Sequence, residues 1–136
     1  MSARIPAAVR QLVRERARGR CEYCLLHQDD ALFPHAVDHI VARKHGGKAR
    51  AKNLAWACFV CNGFKGTDLS SVDMETGRIE LLFNPRRHRW SAHFRLDDGV
   101  IVPLTAIGRV TEHLLRFNMP RLVEMRQILI REGRYP

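Results

Sequence analysis

Cys21-Glu22-Tyr23-Cys24 and Cys58-Phe59-Val60-Cys61 are separated by 33 residues, and their four cysteines are all the cysteines of the chain. A C-x-x-C turn aims two thiolates at one point, and two such turns supply the four sulfurs of a tetrahedral zinc site. A disulfide framework belongs to an oxidising compartment, and a redox motif needs only one of the two pairs. The spacing therefore predicts a structural Zn²⁺ held by Cys21, Cys24, Cys58 and Cys61. Four thiolates close the coordination sphere, so this metal is a fastener with no open position for chemistry.

Between the knuckles, residues 37–41 read as a short strand and 44–52 as a basic, glycine-containing loop. A second strand follows at 54–57, then a Cys-led helical turn that Gly66 ends. Upstream, Pro6 can open a helix whose Val9, Leu12, Val13 and Ala17 share one face, with Arg10, Arg14 and Arg18 on another, until Gly19 stops it. Downstream, Trp90, Ala92, Phe94 and Leu96 alternate as in a strand, Asp97-Asp98-Gly99 supplies a turn, and residues 100–102 return as the second arm of a hairpin. Thr105 can cap a helix to about Phe117. Pro120 can open another, whose stripe of Leu122, Met125, Ile128 and Leu129 closes before Gly133. These two helices are expected to cover the sheet. The result is an α+β chain with one domain over 1–136, a core motif at about 21–66 and an extension at about 67–136.

The composition is that of a globular protein, with 46% apolar and 27% charged residues among 136. Twenty-three Lys and Arg face 14 Asp and Glu, a net charge of +9 and a pI near 10.3, which points to a polyanionic partner. Residues 1–20 hold six arginines and no apolar run fit for a signal peptide, and no stretch approaches the roughly 18 apolar residues of a membrane span. A cytoplasmic protein without membrane attachment is the expectation. Arg43, Lys44, Lys48, Arg50 and Lys52 place five positive charges within ten residues with no acid between them. They form either a grip on a phosphate backbone or a solvated loop. His45 and Lys65 are further phosphate candidates, and His35 is a candidate ligand or ligand support.

Between and after the knuckles run Val37-Asp38-His39-Ile40, His45-Gly46-Gly47, Asn53-Leu54 and Asn62-Gly63-Phe64-Lys65-Gly66. This succession resembles the zinc-knuckle branch of the HNH (His-Asn-His) endonucleases over residues 21–66, about a third of the chain. Leu82 to Arg86, Trp90, His93-Phe94 and Gly108-Arg109 are similar to the tail of many bacterial HNH proteins and carry no known role. The resemblance implies a ββα-metal core and metal-dependent hydrolysis of DNA phosphodiester bonds, leaving 5′-phosphate and 3′-hydroxyl ends. It makes His39 the general base, and Asp38 and Asn62 the oxygen ligands of a catalytic Mg²⁺ or Mn²⁺. It makes Asn53 the residue that ties the loop and orients His39, although an Asn in that place also serves simply as a turn cap before a strand.

Two local features qualify the resemblance. Neighbouring strand residues face opposite ways, so Asp38 and His39 require a bend where the strand ends. The last motif position is Asn62 where some members carry a third His, and an oxygen donor favours a hard ion. Binding dominated by the DNA backbone follows from the basic loop and the lack of a base-reading array; a small-molecule substrate does not fit that surface. The alternatives are a catalytically silent zinc-stabilised nucleic-acid adaptor, which leaves Asp38, His39 and Asn62 without a role, and a protein-interaction zinc domain, which leaves the basic surplus unexplained as well.

Overall fold

Pro6, with its fixed φ, precedes α1 (Ala7–Arg16), whose Val13 is fully buried. The structure, a computed structural model, describes residues 5–136. Residues 1–4, part of the N-terminal stretch read above for a targeting signal, lie outside the described residues. Beyond the first knuckle come β1 (Ala36–His39) and β2 (Leu54–Ala57), antiparallel, with Val37 opposite Trp56, Asp38 opposite Ala55 and His39 opposite Leu54. All four β2 residues are buried, so this hairpin is covered on both faces.

Residues that are paired across an antiparallel ladder share a face. Val37, Leu54 and Trp56 pack with Val13 of α1. The other face carries Ala55 and Ala57 into the main core with the four cysteines, Tyr23, Phe83, Phe94, Leu115 and Phe117. Next in the chain is α2 (Phe59–Lys65), with Cys58 as its N-cap and Gly66 ending it. The hairpin and α2 build the two-strand, one-helix core that the resemblance implies.

The extension contains β3 (Ser70–Val72) paired with β4 (Ile79–Leu81), then α3 (Trp90–His93), β5 (Phe94–Asp97) paired with β6 (Val100–Pro103), α4 (Ala106–Leu115) and α5 (Pro120–Arg131). Thr105 caps α4, accepting from the Gly108 amide at 3.0 Å. The observed elements depart from those expected. The β3–β4 pair has no counterpart in the sequence reading. Trp90 to His93 form a helical turn rather than the start of a strand. And the described strands form three separate two-stranded sheets, so α4 does not cover one sheet but packs against α2, β3, β4 and β6. No helix among the described residues is long and apolar enough to cross a membrane.

The extension is tied to the first knuckle by an Arg86–Glu22 ion pair and by two hydrogen bonds. The Trp90 indole donates to the Tyr23 carbonyl at 2.8 Å, and the Tyr135 hydroxyl donates to the Cys24 carbonyl at 2.7 Å. Asp73, fully buried, receives both Nε and Nη2 of Arg109 at 3.0 and 2.9 Å, locking the β3–β4 turn onto α4.

Candidate active site

The four cysteine sulfurs lie within 4.8 Å of one another, all buried, and Cys24 Sγ stands 3.7 Å from Cys58 Sγ. That is far beyond the roughly 2.05 Å of a disulfide. Four sulfurs each about 2.3 Å from a central ion stand about 3.8 Å apart in a tetrahedron. The site fits zinc. Within each turn the second cysteine's amide faces the first one's sulfur: Cys24 N–H to Cys21 Sγ at 3.5 Å, Cys61 N–H to Cys58 Sγ at 3.4 Å. The sulfur contacts, those with Cys21 foremost, push the Cys24 and Cys61 thiols up and the Cys58 thiol down. A divalent cation relieves that competition by holding all four as thiolates. His35 is not in this cluster; it is buried, with Nε2 2.9 Å from the Leu26 carbonyl oxygen and its ring near Trp56.

Because Cys58 caps α2 and Cys61 lies within it, a zinc held by the four sulfurs would fix this helix, and Asn62 directly follows one of those cysteines. The other end of α2 is fixed by Lys65. Its side chain, 2% exposed, donates to the Ile40 and His39 carbonyls at 3.2 and 3.1 Å and pairs with Asp38 Oδ2 at 3.2 Å. Lys65 is therefore not a surface phosphate contact as the sequence suggested, since its ammonium is spent inside the protein. Asn62, one turn before it and half-buried, neighbours Lys65 along the helix.

Asp38 is 4% exposed and turns to the α2 side of the hairpin. Tyr23, from inside the first knuckle, donates its hydroxyl to Asp38 Oδ2 at 2.7 Å. Burial raises the Asp38 carboxyl above its ordinary value, and the Lys65 ammonium and the Tyr23 hydroxyl oppose the rise. Tyr23 gave no functional signal in the sequence beyond being an aromatic residue between two ligands.

His39, paired with Leu54, stands on the opposite face at the last position of β1 and is half-buried. The alternation expected of a strand is thus kept, and the chain leaves strand geometry immediately after His39. The imidazole Nε2 is enclosed without a hydrogen-bond partner. Burial, then the Arg43 charge, hold the His39 pKa below its ordinary value, Asp38 acting the other way. The neutral ring, able to accept a proton, is favoured.

The loop after His39 is shaped by Asn53 and two glycines. Asn53 Oδ1 accepts from the Val41 amide at 2.9 Å, while Nδ2 donates to the Val41 and Lys48 carbonyls at 3.0 and 2.9 Å. Gly46 has φ +89°, ending the tight turn Arg43–His45, and a Cβ on Gly47 would collide with the Val41 carbonyl. Arg43, Lys44, His45, Lys48, Arg50 and Lys52 are all exposed along this loop. From α1, Arg16 donates to the Leu54 and Ala51 carbonyls at 2.6 and 3.0 Å, holding the loop's far end.

Residues 21–68 match the family model described as HNH endonuclease. This segment is an HNH domain. The match spans about a third of the chain and takes in both knuckles, the β1–β2 hairpin and α2. HNH domains are nuclease-type modules that typically bind nucleic acid, which agrees with the basic loop beside β1. No curated relative and no solved structure matches the chain.

Proposed function

We propose that this HNH protein is a metal-dependent endonuclease that hydrolyses phosphodiester bonds in DNA and works in the reducing cytoplasm, where its four thiols stay available to zinc. The observation that supports this most is the meeting of two elements at one strand end. His39, disposed to be neutral, closes β1 next to Asp38, and the zinc-anchored α2 that bears Asn62 docks on that same end.

In this reading His39 takes the proton from the attacking water. Asn53 holds the loop and so the direction of the imidazole. The exposed cations Arg43, Lys44, Lys48, Arg50 and Lys52, with His45, grip the sugar-phosphate backbone without reading bases.

Asp38 and Asn62 would hold a Mg²⁺ or Mn²⁺. Their donor chemistry fits: a carboxylate has about four lone-pair sites, and Tyr23 and Lys65 leave part of that capacity free. When bound, such an ion neutralises charge on the phosphate and on the departing 3′ oxygen. Products carry 5′-phosphate and 3′-hydroxyl ends, and one site per chain nicks one strand at a time.

The test is incubation of supercoiled plasmid with the zinc-loaded protein, with Mg²⁺ or with magnesium withheld. Nicked circles bearing ligatable ends only in the Mg²⁺ arm support the reading. DNA retained but uncut in every arm favours the adaptor instead.

A further inference from the structure

Lys65 and Tyr23 converge on Asp38 from two elements that the zinc joins. Tyr23 sits between ligands Cys21 and Cys24, and Lys65 lies four residues beyond ligand Cys61 on α2. All three side chains are buried, at 0% exposure for Tyr23, 4% for Asp38 and 2% for Lys65. The contacts are direct: hydroxyl to Oδ2 at 2.7 Å, ammonium to Oδ1 and Oδ2 at 3.3 and 3.2 Å. The remaining Lys65 donors go to two consecutive carbonyls, His39 and Ile40, where β1 ends.

A buried ion pair adds little net stability, because desolvation offsets the Coulomb attraction. What these contacts fix is geometry. With its carboxylate held at both oxygens, Asp38 has one orientation, and with both carbonyls capped by α2, the strand end cannot drift from the helix that carries Asn62. Exposed loop lysines have the opposite character, free to follow a phosphate.

We infer that Tyr23 and Lys65 are positioning residues for the reacting centre: together they aim the Asp38 carboxylate and set the separation between the Asp38–His39 strand end and Asn62, and neither touches nucleic acid. This inference rests on the endonuclease reading for the purpose of that geometry, and the zinc site is its mechanical base. Outer partners of a metal-binding carboxylate typically change metal affinity or activity by about 10- to 100-fold when removed.

The experiment uses the full zinc-loaded chain carrying Lys65→Met. Because loss of a buried charge partner can unfold the region, Tyr23→Phe runs beside it, keeping the ring that packs edge-on against Phe83 and removing only the hydroxyl. Each is measured for zinc content, Mn²⁺ affinity without nucleic acid, the salt dependence of DNA binding, and kcat and KM of plasmid nicking. Lys65→Met is expected to lower Mn²⁺ affinity and kcat by about 10- to 100-fold, and Tyr23→Phe to lower both by less. KM for DNA, the salt slope and zinc content stay at wild-type levels.

A reduced salt slope in Lys65→Met would return Lys65 to the phosphate backbone and overturn the inference. So would wild-type Mn²⁺ affinity in either folded variant. Mn²⁺ binding is read without cleavage, so a wild-type chain that binds Mn²⁺ and never nicks removes the endonuclease reading alone, with the variants' Mn²⁺ affinities still deciding the positioning role. A wild-type chain that binds no Mn²⁺ overturns both.

Discussion

Asn53 and Val41 exchange two hydrogen bonds, Val41 N–H to Asn53 Oδ1 at 2.9 Å and Asn53 Nδ2–H to the Val41 carbonyl at 3.0 Å. One side chain thereby closes the loop that starts two residues after His39. A third bond, to the Lys48 carbonyl at 2.9 Å, draws in the loop's middle. The same clamp explains Gly47, where the chain passes too close to Val41 for any side chain.

Asn53→Ala removes all three bonds. At about 1 kcal/mol net for each, the variant is expected to lose about 1–3 kcal/mol in denaturant unfolding. Cleavage should fall with zinc content unchanged, because the loop that follows His39 loses its tie while the four cysteines are untouched. Undiminished cleavage would reduce Asn53 to a turn cap.

The zinc site carries the fold of its own surroundings. Binding free energies of about 10–16 kcal/mol for structural zinc act as folding free energy. Chelation should therefore unfold the region 21–65 and release Tyr135 from Cys24. Loss of helical circular dichroism together with zinc release is the expected result, and an unchanged thermal midpoint after complete zinc loss would contradict it.

Asp73 gives the stability a pH dependence of known sign. The Arg109 guanidinium holds its carboxyl down at about 2, against about 3.9 in an unfolded chain. A depressed folded value stabilises fully above the unfolded one and is lost as pH falls toward the folded one. Wild type and Asp73→Asn should differ most in denaturant midpoint near pH 5, and the gap should narrow by pH 3. A constant gap over that range would mean that the carboxylate–guanidinium pair is not responsible.

Lys48 and Arg50 project from the loop into solvent. Reversing both to Glu should weaken retention of unrelated DNA sequences equally and flatten the dependence of affinity on salt, because phosphate contacts release counterions. Weakening confined to one sequence would point to base reading.

How much of this was legible in the sequence varies by element. Two C-x-x-C turns specify a shared ion through spacing alone, and β2 falls on residues 54–57 as read. β1 stops at His39 instead of running to Val41, because the Val41 amide and carbonyl are taken by the Asn53 side chain. Trp90 and Phe94, four apart, fit a helical turn as well as period two. Their rings meet at 5.0 Å, tilted by 37°, at the two ends of that turn, so alternation alone does not identify it. The β3–β4 pair leaves no signal in the sequence because three-residue strands with exposed Val72, Ile79 and Leu81 have no buried face to mark them. Lys65 looks like a surface cation because its partner Asp38 lies 27 residues away and only the folded chain brings them together.

The most direct test of the account is the single-turnover cleavage rate of His39→Ala on duplex DNA, with zinc content and DNA retention measured on the same preparation. A general base contributes about 10²- to 10⁴-fold. The rate should therefore drop at least about 100-fold while zinc and binding remain as in wild type. Cleavage at the wild-type rate by the zinc-loaded variant would contradict the account.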